Sequence, residues 1–80
     1  MNREEAKKKL IELQESNITR IIDDYIIDAI GDGSPYVDVL ISAGGPITDQ
    51  NQYYITNRLA GLGYDIELSK TLDTVRISWF

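Results

Sequence analysis

The 80-residue sequence contains no cysteine and no histidine. Without cysteine, the chain can form no disulfide and has no thiolate nucleophile. The lack of histidine also excludes the usual zinc sites and the most common acid–base catalytic pairs. Any metal would need oxygen ligands and would be a hard cation such as magnesium or calcium. These absences favour a non-catalytic protein, and we predict no catalytic residue, no metal site and no cofactor.

Basic residues are scarce. Eight Lys and Arg residues stand against thirteen Asp and Glu residues, which gives a net charge of −5. The imbalance lies in residues 21–80, which hold three basic and nine acidic residues, whereas residues 1–20 hold five and four. An acidic surface repels a phosphate backbone and lacks the counterion release that drives nucleic-acid binding. We therefore expect no nucleic-acid partner.

Long apolar runs are also missing. The stretch "MNREEAKKKL" is not followed by the apolar run that a secretory signal would have. No window approaches the roughly 18 apolar residues that span a membrane, so we expect no membrane partner. Hydrophobic residues make up 42% of the chain and charged residues 26%, which is the composition of a globular domain.

Apolar residues recur from residue 3 to about residue 30 at the 3.6-residue spacing of an amphipathic helix. Asn2 is the predicted N-cap of this helix, with Glu5 at the capping-box position. Polar side chains in "ESNIT" can compete for backbone hydrogen bonds, so a kink or break near Ser16 is the alternative to one continuous helix.

Three alternating segments follow, "YVDVLIS", "YDIEL" and "TVRISWF", and a second helix capped by Thr48 or Asp49 is predicted between the first two. The order predicts an α+β fold in one domain over residues 1–80, with a long N-terminal helix, then β-α-β-β, and a three-stranded sheet packed on two helices. The last strand is the most apolar. It is expected between the other two and antiparallel to both, and a simple 1-2-3 order is the alternative.

The strand pattern leaves one sheet face and two edges for a partner. By their alternation, Tyr36, Leu40 and Phe80 lie on the face opposite the one that the helices would cover. We expect this face to be too apolar to remain wholly in water. Tyr36, Leu40 and Phe80 are therefore the predicted protein interface, for a second copy of the chain or for another protein.

The stretch "DVLISAGGPITDQNQ" runs from a strand through two glycines into a helix, which is a common place to hold a phosphate. However, no Lys or Arg lies between residues 21 and 57, and Pro46 removes one backbone donor. A tight connection is favoured, and a small-molecule site shared between protomers is the alternative. Its candidate residues are Gly44, Gly45, Thr48, Tyr53, Tyr54, Arg58 and Arg76.

The segments "GLGYDIEL" and "VRISWF" are similar to segments of a known group of proteins. The chain resembles small uncharacterised α/β proteins encoded by bacteriophages, with an N-terminal helix, a strand, a helix ending in a G-Y turn at Gly63 and Tyr64, and a hairpin closing on I-S-W at Ile77 to Trp79. This resemblance implies a virion accessory or a binder of host or defence proteins, located in the virion or the host cytoplasm. It defines no catalytic residue.

The sequence therefore leaves two candidate functions. The first is a non-catalytic interaction protein that self-associates, binds another protein, or both. The second is an oligomeric small-molecule binder, for example a sponge for a nucleotide signal in phage counter-defence. An enzyme is the least favoured class, because no histidine is present to activate a serine or threonine hydroxyl.

Overall fold

The computed structural model describes every residue from Met1 to Phe80. Two consecutive α-helices, α1 and α2, are joined by a π-helical turn and followed by three strands and one further helix. In chain order the elements are α1 (Arg3–Arg20), the π turn (Ile21–Ile26), α2 (Ile27–Gly31), β1 (Tyr36–Leu40), α3 (Gln52–Gly61), β2 (Asp65–Ser69) and β3 (Thr74–Ser78). The predicted α+β class and the predicted order of elements are confirmed.

Helix α1 begins where the sequence indicated. The Oδ1 of Asn2 accepts a hydrogen bond from the backbone N–H of Glu5 at 2.9 Å, which satisfies one of the unpaired donors of the first turn. The helix then passes Ser16 without a break, and the Thr19 hydroxyl donates to the Glu15 carbonyl one turn back. The alternative of a break near Ser16 is therefore wrong.

The irregularity lies further along, in the π turn. Ile21 and Ile26 are five residues apart, and both are buried, with exposed fractions of 0% and 2%. Residues five apart in an α-helix point about 140° away from each other. Hydrogen bonds from residue i to residue i+5 widen the turn and bring both side chains towards one face. The π turn thus helps both isoleucines to reach the core.

The sheet has the order β1-β3-β2, and β3 is antiparallel to both neighbours. The prediction that the last strand lies in the centre is confirmed, and the simple 1-2-3 order is not adopted. Val75 of β3 lies opposite Val39 of β1 and opposite Leu68 of β2. Because side chains alternate between faces, Val39, Val75 and Ile77 point to the same side of the sheet.

The core forms between that side of the sheet and the helices. The π turn packs over β1, and α3 packs over β2 and against α1. The buried cluster consists of Ile18, Ile21, Ile26, Val39, Ile47, Ile55, Leu59, Val75 and Ile77. Trp79 and Val37 are half-buried against this cluster, as their alternation in the strands predicts.

The N-terminal part of α1 is not part of this core. Every residue from Met1 to Leu13 is exposed, and Ile18 is the first buried residue of the helix. We call residues 3–13 the exposed half of α1; this segment is about 16 Å long at 1.5 Å per residue. The molecule is accordingly elongated, with extents of 45 × 26 × 21 Å.

Candidate interaction surface

The glycine-rich loop after β1 is a folded connection. The N–H of Gly45 donates to the Ser42 carbonyl at 3.1 Å, and the N–H of Ser42 donates to the Ile47 carbonyl at 3.0 Å. Gly44 has a φ of 82°, a region in which glycine alone is free of steric cost. Pro46 and Ile47 are buried. The loop therefore brings Ile47 beside the end of β1, where it forms a parallel bridge with Ile41.

A tight turn connects this loop to α3. The Asn51 Oδ1 accepts from the Thr48 N–H at 2.8 Å, and the Thr48 Oγ1 accepts from the Asn51 N–H at 3.2 Å. The Asn51 amide also donates to the Gln14 side chain and the Pro46 carbonyl, at 2.9 and 3.2 Å. Thr48 thus caps a turn that precedes α3 and not the helix itself. The buried Asn51, which the sequence reading missed, joins this turn to α1.

Arg58 and Tyr54, two of the predicted ligand residues, are bound to Glu15. The Arg58 guanidinium donates to both Glu15 carboxylate oxygens at 2.9 and 3.1 Å, and the Tyr54 hydroxyl donates to one of them at 2.8 Å. The hydrogen bond from Arg58 has the larger effect on Glu15 and, together with the one from Tyr54, holds the pKa of Glu15 below its ordinary value. The same contact with Glu15 raises the pKa of Tyr54. These three side chains connect α1 to α3.

Arg76 lies on the side of the sheet that the helices do not cover. Its guanidinium donates to both carboxylate oxygens of Asp38 at 2.9 and 3.2 Å, and it lies 4.0 Å from the centroid of the Tyr36 ring. The pKa of Arg76 is raised by the hydrogen bond to Asp38 and, more weakly, by the charge of Glu67. Arg58 and Arg76 are therefore on opposite sides of the sheet, and each already has a carboxylate partner.

The open face of the sheet is more polar than the sequence led us to expect. Tyr36 and Leu40 are exposed there, and Phe80 is almost fully exposed beyond β3. Arg76 covers part of Tyr36, and Leu40 lies opposite Thr74. The remaining side chains of this face on β2 and β3 are Asp65, Glu67, Ser69, Thr74, Arg76 and Ser78. Tyr36, Leu40 and Phe80 stay a predicted interface.

Both edges of the sheet are protected against strand pairing. On β1, the backbone of Tyr36 is bonded to the Ser34 hydroxyl, and the N–H of Ser42 is bonded to Ile47. Only a short part of that edge remains unpaired. On β2, Asp65 and Glu67 place two negative charges along the edge, and charged side chains discourage edge-to-edge pairing. A sheet edge is therefore not the favoured binding surface.

The exposed half of α1 carries a further apolar surface. Leu10 and Leu13 are both 57% exposed, and Ile11 is also exposed. Ala6, Leu10 and Leu13 follow each other at spacings of four and three residues, which places them along one side of a helix. Beside them runs a groove of about 270 Å³. Its lining consists of Leu10, Ile11, Gln14, Thr48, Gln50, Asn51 and Tyr54.

A second concave surface lies between the start of α3 and the β2–β3 hairpin. This pocket has a volume of about 350 Å³, and Tyr53 forms part of its wall. The other lining residues are Ile41, Asp49, Gln52, Thr56, Leu68, Ser69, Lys70 and Asp73. Of the seven predicted ligand residues, Tyr53 alone lines this pocket, whereas Thr48 and Tyr54 line the groove beside α1. Within one chain the predicted site is therefore not assembled.

Comparison of the chain with known protein families, with curated proteins and with solved structures finds no match in any of the three. None of the helices is both long enough and apolar enough to cross a membrane.

Proposed function

We propose that this chain is a non-catalytic interaction protein that self-associates through the exposed half of α1. The observation that carries the proposal is the exposure of Leu10 and Leu13 on a helical segment in which every residue is exposed. A second copy of the same chain is the simplest partner, because homo-oligomers with two-fold symmetry are the commonest protein assemblies.

The physical reason lies in the marginal stability of a short exposed helix. Residues 3–13 extend the packed part of α1 and need no new helix nucleus, but tertiary packing of an apolar face supplies most helical stability in proteins. Packing Leu10 and Leu13 against a partner would stabilise this segment and remove apolar surface from water. Because the surface is small, we expect an affinity in the micromolar range or weaker.

The biological setting of this interaction is part of the proposal. The resemblance to phage proteins suggests a virion accessory or a protein that binds a host or defence component, in the virion or the host cytoplasm. In either setting, the exposed half of α1 can bind another protein in place of a second copy, because helix-in-groove recognition uses the same apolar positions.

A small-molecule binder remains the second candidate function, because of the pocket between the start of α3 and the β2–β3 hairpin that Tyr53 lines. Ile41, Tyr53 and Leu68 give this pocket apolar walls, and Asp49, Lys70 and Asp73 give it charged groups. Ligand pockets typically combine apolar walls with a few polar groups in this way. The proposed function does not depend on this pocket, which is formed without any residue of α1.

The test replaces one exposed leucine by glutamate. We expect Leu13→Glu to weaken self-association by at least about tenfold, because each dimer would have to bury two uncompensated charges. Sedimentation equilibrium over about 10–500 µM protein covers the expected range of affinity. The matched control is Leu72→Glu, the same substitution at an exposed leucine of the β2–β3 loop. Wild-type protein that stays monomeric throughout, or Leu13→Glu protein that associates as well as the control, would contradict the proposal.

A further inference from the structure

We infer that the pocket between the start of α3 and the β2–β3 hairpin binds a small organic cation, a primary ammonium group carried on an aromatic or branched aliphatic body. The inference rests on the second candidate function, to which it gives a ligand class, and not on self-association, because no residue of α1 lines the pocket. Three features carry it: an uncovered part of the core side of the sheet, an aromatic wall and a set of charges without partners.

The pocket lies where the helices stop covering the core side of the sheet. Val39, Val75 and Leu68 are neighbours across the three strands and point to that side. Val39 and Val75 are 1% and 0% exposed, whereas Leu68 is 54% exposed. Ile41, two residues after Val39, is only half-buried. Apolar surface on the core side is therefore left open, and the body of a ligand can fill the space of about 350 Å³ beside it.

Tyr53 supplies an aromatic wall on the α3 side of the pocket. It is 80% exposed, and its hydroxyl makes no hydrogen bond within the chain, whereas the hydroxyl of the neighbouring Tyr54 is bound to Glu15. A cation that lies over the face of an aromatic ring is attracted by the charge distribution of the ring. Tyr53 can therefore contact both the apolar body and the ammonium group of a ligand.

The charges around the pocket favour a cation. Asp49, Lys70 and Asp73 line the pocket, and none of them belongs to an ion pair within 4.0 Å. The two arginines of residues 21–80 already have carboxylate partners and lie outside the pocket. Two carboxylates against one ammonium give the pocket a net charge of −1, which one positive charge on a ligand balances. A phosphate or carboxylate ligand would instead add to the negative charge.

The test uses two small molecules that share one body. Phenethylamine carries an ammonium group at neutral pH, and hydrocinnamate carries a carboxylate on the same phenylethyl group. Each is titrated into isotope-labelled full-length protein while the amide resonances are followed by NMR. We expect phenethylamine to shift the resonances of Tyr53 and of residues 68–73 saturably, with a Kd of about 1 mM or below. Hydrocinnamate should bind at least about tenfold more weakly, because its charge is repelled.

Asp49→Asn and Asp73→Asn each remove one negative charge from the pocket and keep the shape of the side chain. Asp73 has a φ of 54°, a left-handed region that asparagine tolerates as aspartate does. We expect each variant to bind phenethylamine about three- to fivefold more weakly, the usual effect of one exposed ion pair. The matched control is Asp65→Asn, which changes the net charge equally but lies outside the pocket, and it should bind as the wild-type protein does.

Three results would overturn the inference. The first is the absence of saturable shifts with phenethylamine, and the second is equal binding of hydrocinnamate. The third is equal weakening by Asp65→Asn, because the charge of the whole chain and not the pocket would then attract the amine. None of these results alters the sedimentation test of Leu13→Glu, so a failure here and a failure of self-association through α1 are distinguished.

Discussion

Replacing Ile26 by alanine is expected to lower the free energy of unfolding by about 2–5 kcal/mol, the usual cost of truncating a buried isoleucine. Ile26 is 2% exposed and belongs to the core cluster that joins the π turn to the sheet. A domain of this size has a total stability of about 4–12 kcal/mol. The variant should therefore unfold at a much lower denaturant concentration, and chemical denaturation followed by circular dichroism measures the loss.

The neighbouring isoleucine provides a matched control. Ile27 is 56% exposed, so Ile27→Ala removes little buried surface and replaces a β-branched residue by a better helix former. We expect its stability to stay within about 0.5–1 kcal/mol of the wild-type value. Equal losses in the two variants would mean that Ile26 is not on the core face, and the explanation given for the π turn would fail.

Asn51→Ala should have the second largest effect, a loss of about 2–3 kcal/mol. The side chain of Asn51 accepts from the Thr48 N–H and donates to Gln14 and to the Pro46 carbonyl. Asn51 itself is buried, so truncation leaves buried polar groups without partners and also removes a link between α1 and the start of α3. Urea denaturation of the variant and the wild-type protein measures the difference.

Asn57, which lies within α3, is the control for this substitution. It is exposed and makes no side-chain hydrogen bond, so Asn57→Ala should change the stability by less than about 0.5 kcal/mol. If Asn51→Ala were as stable as Asn57→Ala, water would be replacing the lost contacts at no cost. The turn before α3 would then not depend on the asparagine side chain.

Much of the fold could be predicted because its determinants are local. The Asn2 cap acts within three residues, and the alternation of Val75 and Ile77 with polar neighbours defines the inward face of β3. The π turn could not be predicted in this way. Ile18, Ile22 and Ile26 recur every four residues and fit an ordinary helical stripe, and only the packing against the sheet decides that Ile21 is buried together with Ile26.

The candidate site was harder to predict because its determinants are distant in sequence. Arg58 and Arg76 were predicted to bind a ligand, but Glu15 and Asp38 bind them from 43 and 38 positions away. No local pattern indicates those pairs. The exposure of Leu10 and Leu13 likewise depends on where the body of the protein ends along α1. The one signal in the sequence was the richer apolar content of the second half of that helix.

The exposed half of α1 is the central feature of this account, and hydrogen exchange tests it most directly. Amides of residues 3–13 should exchange fast in a dilute monomer, because the segment can open locally without unfolding the core. They should slow as the protein concentration rises, whereas amides of β3 keep the same rate and serve as the internal reference. Rates in residues 3–13 that do not change with concentration, or slowing at Tyr36–Leu40 instead, would contradict the account, and the latter result would place the interface on the open face of the sheet.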